Sequence, residues 1–308
     1  MKLVSVIVPA YNRQTEIIQT LKTIIVQTYP NIEIIIVDDG STDSTYEVAQ
    51  EFINNYDGRF DILLYKQENL GLAGARNSGF KHSKGDYILF FDSDDLMLPD
   101  RCEIQVKSIE KEHADACAAA FYRQRNGQIV ETVTHQTYPN TSLINQMLFF
   151  YLKGSGIRPS SQSWMFTREL FEKMDGYDIR LRSNQDIDFA FRIALSGYKI
   201  SIVNKPLSIF VDDDRPDRIM KSIWKSKKGV ECRGIVADKL IKNKIVRDNP
   251  DIYLNSMIYY FYNYIVYSLP YMGKFWCYKK LLNLSLCPKS KLKAMMKKIE
   301  FLIKLLIK

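Results

Sequence analysis

The hydrophobic positions of the chain follow two alternating patterns over the first hundred residues. Short continuous apolar runs, typical of the buried strands of a parallel sheet, occupy residues 3–8, 32–37, 61–65 and 87–91. Apolar or small side chains at helical spacing occupy the intervening residues 13–28, 42–55 and 71–83. This alternation of strand and helix predicts an α/β fold, with a mainly parallel sheet and helices on both faces.

The later part of the chain has a less regular pattern. Residues 115–122 and 128–133 predict a β-hairpin around the turn Asn126-Gly127. Helical and strand-like segments then follow in mixed order, and the last ninety residues are helical in pattern. We therefore expect one α/β domain over residues 1–215, followed by a helical C-terminal region over residues 216–308.

Polar side chains follow three of the four predicted strands, at the point where each strand ends. The clusters are Ala10-Tyr11-Asn12, Asp38-Asp39 and Asp92-Ser93-Asp94. Because the carboxyl ends of parallel strands lie at one edge of the sheet, we expect these clusters to converge on one crevice. Neighbouring carboxylates repel unless a cation or hydrogen-bond donors lie among them, and the simplest occupant is a divalent metal ion with phosphate. For Asp38 and Asp39, ordinary turn chemistry is the alternative.

The net charge of +8 is concentrated at the C-terminal end of the chain. Residues 289–308 hold seven lysines and one acid, Glu300, beside an apolar stripe at helical spacing. This is typical of an interfacial helix attracted to anionic lipid, although a lysine-bordered helix docked on the domain has the same pattern. Because the charge is local, it does not indicate nucleic-acid binding. Residues 252–273 are uncharged, but their tyrosine, asparagine and proline content favours a buried or interfacial helix over a spanning one.

The cysteines and the start of the chain bear on its compartment. The five cysteines are scattered, odd in number and without CxxC spacing. This argues against a disulfide framework or a structural zinc site and indicates a reducing compartment. The chain begins with a strand pattern rather than with a cleavable leader. We therefore expect a cytoplasmic protein that contacts the inner face of the cell membrane through its basic tail.

Four motifs in series resemble those of glycosyltransferase family 2. They are VSVIVPAYN at 4–12, VDDGSTD at 37–43, NLG and ARNSG within 69–79, and DSDD at 92–95. In order and spacing they cover roughly the first 115 residues. The resemblance implies the GT-A fold, the Rossmann-like fold of nucleotide-diphospho-sugar transferases. It also implies that residues 1–115 bind the nucleotide sugar and that residues 116–215 form the acceptor part.

The resemblance also assigns the residues of the nucleotide pocket. It implies that this pocket is lined by Pro9, Ala10, Tyr11 and Asn12. Asp39, with Asp38 beside it, is expected to contact the base of a nucleotide sugar, which we expect to be UDP-linked. Arg76, with Asn69 nearby, is expected to lie by the ribose or the phosphates of the donor. A surface ion pair is the alternative role for Arg76.

Within the resemblance, Asp92-Ser93-Asp94 is the DxD motif. Asp92 is expected to contact the ribose or the sugar. Asp94 is expected to bind Mn²⁺ or Mg²⁺ together with the diphosphate. Asp92 is a second ligand where the ion takes two carboxylates. Members of the family often carry a histidine after the next strand that completes the metal shell, but residues 209–215 contain none. Asp212 to Asp214 either replace it or form a solvated acidic loop, and we favour the loop. The histidines, predicted to be surface residues, are His82, His113 and His135.

The acceptor part is expected to supply a base. Inverting sugar transfer needs one base to take the proton of the acceptor hydroxyl. The family usually has Glu-Asp here, and this chain has Gln185-Asp186, so Asp186 is the expected base and Gln185 an acceptor contact. Asp188 is a second candidate, for which charge complementarity at the helix start is favoured. Trp164 is either an acceptor contact or a core residue, and residues 154–161 are expected to form a flexible loop over the ligand.

These features lead to one main hypothesis and two alternatives. The main hypothesis is a metal-dependent inverting glycosyltransferase of the hexosyltransferase type, acting on a glycan or lipid-linked glycan in bacterial cell-surface polysaccharide synthesis. One alternative is a nucleotidyltransferase, which would need a glycine-rich basic loop after the first strand in place of Ala10-Tyr11-Asn12. The other is a non-catalytic scaffold that binds sugar or lipid.

Overall fold

The computed structural model of the chain describes residues 1–158, 160, 163–213, 226–252 and 256. The strands in these ranges are β1 (Val4–Ala10), β2 (Ile32–Asp38), β3 (Asp61–Lys66), β4 (Tyr87–Phe90), β5 (Leu96–Met97), β6 (Ala116–Arg125), β7 (Gln128–Val133), β8 (Trp164–Thr167) and β9 (Ile200–Val211). The helices in the same ranges are α1 (Ile17–Ile24), α2 (Thr45–Asn54), α3 (Gly71–His82), α4 (Arg101–Glu112), α5 (Leu143–Lys153), α6 (Arg168–Lys173), α7 (Gln185–Leu195), α8 (Lys227–Lys242) and α9 (Lys244–Asp248).

The first four strands form a parallel sheet in the order β3-β2-β1-β4. Val4 at the start of β1 pairs with Ile32 of β2 on one side and with Tyr87 of β4 on the other. These three strands are buried along their whole length, because helices cover both faces of the sheet. The continuous apolar runs therefore predicted the strands and their parallel pairing.

Alternate side chains of the central strands enter two separate cores. Ile7 and Phe90 belong to a core that includes side chains of α3, α5, α6, α7 and α8. Val6 and Leu89 belong to the opposite core, which includes side chains of α1, α2 and α4. The predicted arrangement of helices on both faces is confirmed, since the side chains of a strand alternate between the two faces of its sheet.

The second half of the sheet is mixed rather than parallel. β8 lies antiparallel between β4 and β6, and β6 pairs in parallel with β9. β6 and β7 form the hairpin that Asn126-Gly127 predicted. Parallel pairing thus holds throughout the first four strands and recurs between β6 and β9, while the other pairs of the second half are antiparallel. Hydrophobic pattern alone does not distinguish the two pairings when a strand is buried on both faces.

The bounds of β9 were not predicted, because Asn204, Lys205 and Pro206 interrupt its apolar pattern. In the structure the register of β9 against β6 shifts at this point, from Val203 opposite Ala119 to Pro206 opposite Ala120. The extra residues form an irregularity of the β-bulge type, which tolerates a proline without an N–H group to donate. The strand therefore continues to Val211 and ends beside the DxD segment.

His135 lies between this bulge and the loop that precedes β8, and its prediction as a surface residue is wrong. It is 3% exposed, and its backbone N–H donates to Asn204 Oδ1 at 2.8 Å. Its Nε2 lies 3.0 Å from the carbonyl oxygen of Ala119, and its Nδ1 accepts from the N–H of Arg158 at 3.2 Å. Burial lowers the pKa of His135 to about 4. The ring is therefore neutral, with its proton on Nε2.

Helix α8 contacts α7 through apolar packing and through the ion pairs of one lysine. Val236 and Leu240 belong to the same core as Phe189 of α7. Lys239 Nζ lies 2.7 Å from Asp178 Oδ2 and 2.7 Å from Asp188 Oδ1. Asp188 also accepts from Arg192 Nε at 2.9 Å and is 2% exposed. Asp188 is thus a buried ion-pair partner.

The predicted basic tail at 289–308 lies outside the described residues, as does most of the uncharged segment 252–273. Within the part of the chain that the structure describes, no helix is both long enough and apolar enough to span a membrane.

The buried histidine predicts an acid-dependent loss of stability. Because the pKa of His135 falls from 6.5 to about 4 on folding, the unfolded chain binds a proton more readily below pH 6.5. Between pH 7 and 4.5 the wild-type protein should lose about 2–3 kcal/mol more unfolding free energy than His135→Gln, which has no group to protonate. Urea denaturation of both proteins across this range measures the difference. Parallel pH dependences would contradict the assignment of a neutral buried imidazole.

Candidate active site

The segments that follow β1, β2 and β4 meet at one edge of the sheet. Asn12, after β1, adopts a left-handed conformation with φ +52°, which asparagine tolerates better than most residues. Its N–H donates to Ser41 Oγ at 3.0 Å, and its Oδ1 accepts from the N–H of Thr42 at 2.9 Å. Arg13 Nε lies 3.6 Å from Asp94 Oδ2. The structure therefore brings the three predicted polar clusters together.

The segment after β1 presents one large aromatic ring to solvent. Pro9 and Ala10 are buried in the β1–β2 ladder, opposite Val37 and Asp38. Tyr11, the next residue, is 44% exposed. An exposed aromatic face at the edge of a crevice is suited to stacking against a flat ring, such as a base.

Asp39 fixes the start of α3. Its carboxylate is 3% exposed and accepts three hydrogen bonds, from Gln67 Nε2 at 2.7 Å, the N–H of Leu70 at 2.9 Å and the N–H of Gly71 at 2.8 Å. A carboxylate has about four acceptor positions, so one position remains for a ligand. Asp39 thus shapes the wall of the crevice as well as lying in it.

Asp38 and Asn69 occupy contrasting positions beside Asp39. Asp38 is fully buried; its Oδ1 accepts from the N–H of Ser41 at 3.2 Å, and Lys66 Nζ lies 3.9 Å from its Oδ2. The contact with Ser41 is the turn chemistry considered above as the alternative. Asn69 is exposed on the segment that leads into α3.

Arg76 is the buried cation at the centre of the crevice. It lies on α3, is 3% exposed, and its Nη2 donates to Asp92 Oδ1 at 2.7 Å. Its guanidinium also lies over the ring of Tyr177, 5.4 Å from the centroid. Burial acts to lower the pKa of Arg76, but the charge and hydrogen bond of Asp92, together with the charges of Tyr177 and Asp186, outweigh burial, and the pKa is raised. Arg76 therefore stays charged, and it is a buried residue rather than a surface one.

The DxD segment combines partly exposed and buried groups. The side chains of Asp92 and Asp94 are 29% and 14% exposed, whereas Ser93 is 5% exposed. Asp95 is fully buried, and its Oδ1 accepts from the N–H of Val211 at 2.9 Å. Asp92 and Asp94 are thus partly exposed to solvent, while Asp95 connects this segment to the end of β9.

The donor set suits a hard divalent cation that arrives with phosphate. The described residues contain no group of three histidine, cysteine, aspartate or glutamate side chains able to hold a metal ion. Mg²⁺ is commonly bound by only one or two carboxylates together with substrate phosphates. Asp92 and Asp94 supply two carboxylates at the crevice, so these residues fit such an ion. Asp212 pairs instead with Arg125, 2.6 Å away, which favours the acidic-loop interpretation for this residue, whereas Asp214 lies outside the described residues.

Asp186 lies in the first turn of α7, within electrostatic reach of the donor side. Its Oδ1 accepts from the N–H of Ile187 at 2.9 Å. Burial raises the pKa of Asp186, and the positive charge of Arg76 opposes this rise. Asp92 also acts on the pKa of Asp186 through its charge. The structure therefore brings the predicted base and the first aspartate of the DxD motif to the same buried arginine.

Residues 183–185, directly before Asp186, carry buried polar atoms without partners. Ser183, Asn184 and Gln185 are 2%, 5% and 4% exposed. Among the described residues, no hydrogen-bond partner lies near Ser183 Oγ, Asn184 Nδ2 or Gln185 Oε1. Such atoms each cost about 1–3 kcal/mol and call for a functional or hydration explanation. Sequence reasoning selected Gln185 but missed its neighbours, because burial of a polar residue is not visible in a local pattern.

Trp164 does not offer a ring face to an acceptor, and its assignment as an acceptor contact is corrected. It is 1% exposed, and its Nε1 donates to the carbonyl oxygen of Arg158 at 3.3 Å. Its ring packs against Phe166 in the core. Core packing prevails because Trp164 lies on β8 in the middle of the sheet.

Hydrogen bonds and ring contacts hold the described part of the segment before β8. The N–H of Ile157 donates to the carbonyl oxygen of Gln146 at 3.1 Å, and Arg158 contacts His135 as noted above. The guanidinium of Arg158 lies over the rings of Phe121 and Phe150. Residues 159 and 161 of the predicted flexible loop lie outside the described residues.

Solved structures with the same fold include two proteins in complex with nucleotide sugars. S. aureus TarS 1–349 in complex with UDP-GlcNAc has a TM-score of 0.70 and 22% identity, and the match covers 88% of this chain and 76% of that one. The mannosyltransferase PcManGT from Pyrobaculum calidifontis, in complex with GDP-Man and Mn²⁺, has a TM-score of 0.60 and 18% identity, covering 97% and 81% of the two chains. These likenesses show the GT-A fold that the motifs predicted.

Curated relatives resemble this chain more closely in sequence. Glycosyltransferase GlyA of Streptococcus pneumoniae is 32% identical over 66% of this chain, and the match covers 30% of GlyA. The putative glycosyltransferase EpsH of Bacillus subtilis is 33% identical over 66% of this chain, with 59% of EpsH covered. The matched region thus spans less than two thirds of either relative.

A family model also matches this chain, and the match determines its family. The model of the family described as glycosyl transferase family 2 matches residues 5–175, which is more than half of the chain. The matched range includes the three polar clusters and Arg76. The chain therefore belongs to glycosyl transferase family 2.

Proposed function

We propose that this protein is a metal-dependent inverting glycosyltransferase that transfers a sugar from a UDP-linked donor to a glycan. The observation that carries the proposal is the position of Arg76. This buried guanidinium donates to Asp92 of the DxD motif and its charge also acts on Asp186. A donor held by Asp92 and an acceptor hydroxyl next to Asp186 would therefore lie on the two sides of one cation.

The donor half of the crevice suits a nucleoside diphosphate sugar. Tyr11 offers an exposed ring for the base, and Asp39 keeps one acceptor position beside it. Asn69 lies just before α3 and Arg76 lies on α3, where the ribose and the phosphates are expected. TarS has been solved with UDP-GlcNAc and PcManGT with GDP-Man. We favour UDP for this chain, because TarS has the higher TM-score of the two.

Asp94, with Asp92 as a second ligand where needed, would hold Mn²⁺ or Mg²⁺. The bound ion would supply Lewis-acid stabilisation of the negative charge on the leaving diphosphate. The residues of this chain keep the two carboxylates partly exposed and separate them with the buried Ser93. The Mn²⁺ of the PcManGT structure supports the choice of a divalent ion of this kind.

Asp186 would act as the base in a single displacement. As the acceptor oxygen attacks the anomeric carbon, Asp186 takes the hydroxyl proton, and the bond between that carbon and the diphosphate oxygen breaks. The electron pair leaves on the diphosphate, and attack from the opposite face inverts the anomeric configuration. Burial raises the pKa of Asp186 and thereby its basicity, which suits it to this role.

The acceptor is proposed to be a glycan or lipid-linked glycan in bacterial cell-surface polysaccharide synthesis. The buried, unpartnered Oε1 of Gln185 lies one residue before the base and could accept from an acceptor hydroxyl. The basic tail at 289–308 would hold the protein against anionic lipid at the inner face of the membrane. The domain division at residue 215 belongs to the same proposal.

The two alternatives are less well supported. A nucleotidyltransferase would need basic or glycine-rich residues after β1 to hold a triphosphate, and this segment is Ala10-Tyr11-Asn12. Asp186 is a carboxyl group whose pKa is raised, and the charge of Asp92 acts on it. A non-catalytic scaffold would not need such a group beside the donor carboxylates.

Metal-dependent donor binding tests the donor half of the proposal. The wild-type protein should bind UDP in calorimetry more tightly with Mn²⁺ than with a chelator, because the ion joins Asp94 to the diphosphate. Asp94→Ala should remove most of this difference, at least about tenfold in affinity. Asp57→Ala, at an exposed site outside the crevice, is the matched control and should retain it. A wild-type protein that binds neither UDP nor GDP with Mn²⁺ would refute the proposed function.

Asp186→Asn tests the base. Loss of the carboxylate should lower kcat by about 100- to 10,000-fold, the usual contribution of a general base, with UDP affinity retained. In the wild type, activity should decline as the pH falls through the raised pKa of Asp186, because the protonated carboxyl accepts no proton.

The control for this prediction is Asp175→Asn, the same change at an exposed position on the chain before α7. It should keep the wild-type kcat and pH profile in a transfer assay with UDP-sugars. Unchanged transfer by Asp186→Asn would show that another group takes the proton.

A further inference from the structure

Arg182 lies against the first residue of α3, although it belongs to the segment that precedes the base. A Cβ atom built on Gly71 would collide with Nη1 of Arg182 and would lie 3.3 Å from its Cζ. Gly71 also has φ +79°, a backbone conformation that favours glycine at this position. The guanidinium of Arg182 therefore packs on the backbone at the corner where the donor crevice begins.

The lack of an ion pair among the described residues distinguishes Arg182 from the other cations at this edge. Arg13, Lys66 and Arg76 each have an aspartate oxygen within 4 Å, at 3.6, 3.9 and 2.7 Å respectively. Arg182 forms no ion pair with any of the residues that the structure describes. It is half-buried, so part of its guanidinium remains open to a ligand.

The backbone at this corner is already occupied. The N–H groups of Leu70 and Gly71 donate to Asp39, so these amides are not available to hold an anion. An anionic ligand here must therefore be bound by side chains. A guanidinium binds phosphate oxygens through two parallel N–H donors, which makes it better suited to a diphosphate than to a base or a sugar ring.

We propose that Arg182 binds the diphosphate of the donor, beside the start of α3. This assignment deepens the proposed function and rests on it. Arg182 precedes Asp186 by four residues, so a diphosphate held by Arg182 also draws the base segment toward the donor. The residue thereby belongs to both halves of the reaction, as a ligand of the leaving group and as part of the segment that carries the base.

The test compares a nucleoside diphosphate with its nucleoside on the full-length protein. Calorimetry in the presence of Mn²⁺ would use whichever of UDP and GDP the wild type binds, and competition would give the affinity for the corresponding nucleoside. Arg182→Ala should weaken diphosphate binding about 10- to 100-fold, the scale of a lost charge-assisted hydrogen bond, and leave nucleoside binding unchanged. Arg182→Lys, which keeps the charge, should recover part of the loss.

Two further variants separate this role from a general effect on the fold. Gly71→Ala should displace the guanidinium and weaken diphosphate binding, whereas Gly197→Ala, at φ +80° with nothing within 4 Å of its Cβ position, should not. Arg180→Ala removes a neighbouring arginine that is exposed and paired with Asp178, and should bind as the wild type does.

The outcomes distinguish the assignment from the function on which it rests. Wild-type binding of UDP or GDP with no change in Arg182→Ala would overturn the role of Arg182 alone. An equal loss for diphosphate and nucleoside would also overturn it, because Arg182 would then shape the base pocket. Absence of binding by the wild type would overturn the proposed function together with this assignment.

Discussion

Because β1 pairs in parallel with β2 on one side and with β4 on the other, the three strands end together at one edge of the sheet. Every group of the donor crevice depends on this pairing. It brings Asn12 to the loop after β2 and Arg13 to the DxD segment, although these positions are about 30 and 80 residues apart along the chain. The helices that cover both faces keep the three strands buried, so their ends are the accessible part.

Buried charges at this edge have two different tasks. Asp39 and Asp95 accept from backbone N–H groups and thereby fix the start of α3 and the end of β9. Arg76, by contrast, connects the segment Asp92-Ser93-Asp94 with the start of α7, since its charge reaches both Asp92 and Asp186. A buried charge without a partner is costly, which explains why Arg76 is held by a carboxylate and an aromatic ring.

The C-terminal helix α8 contributes to the same arrangement from outside the family match. Lys239 contacts both Asp178 and Asp188, and Asp188 lies on the helix that carries Asp186. Because Asp188 is 2% exposed, its charge needs partners, and Lys239 supplies one beside Arg192. The orientation of α7, and with it Asp186, is therefore stabilised by a residue that lies beyond residues 5–175.

The sequence by itself determined the parallel half of the sheet, the covering helices and the three polar clusters, because apolar periodicity and turn residues are local properties. It also placed Asp186 at the start of a helix, as the structure does. Only the tertiary structure decided which polar side chains are buried and what they contact. His135 is a core residue held by Ala119 and Arg158, Trp164 is a core residue of β8, and the second half of the sheet is mixed. The contact of Arg182 with Gly71 joins positions more than a hundred residues apart. Burial and hydrogen bonding at these positions depend on partners distant in sequence, and no local pattern contains that information.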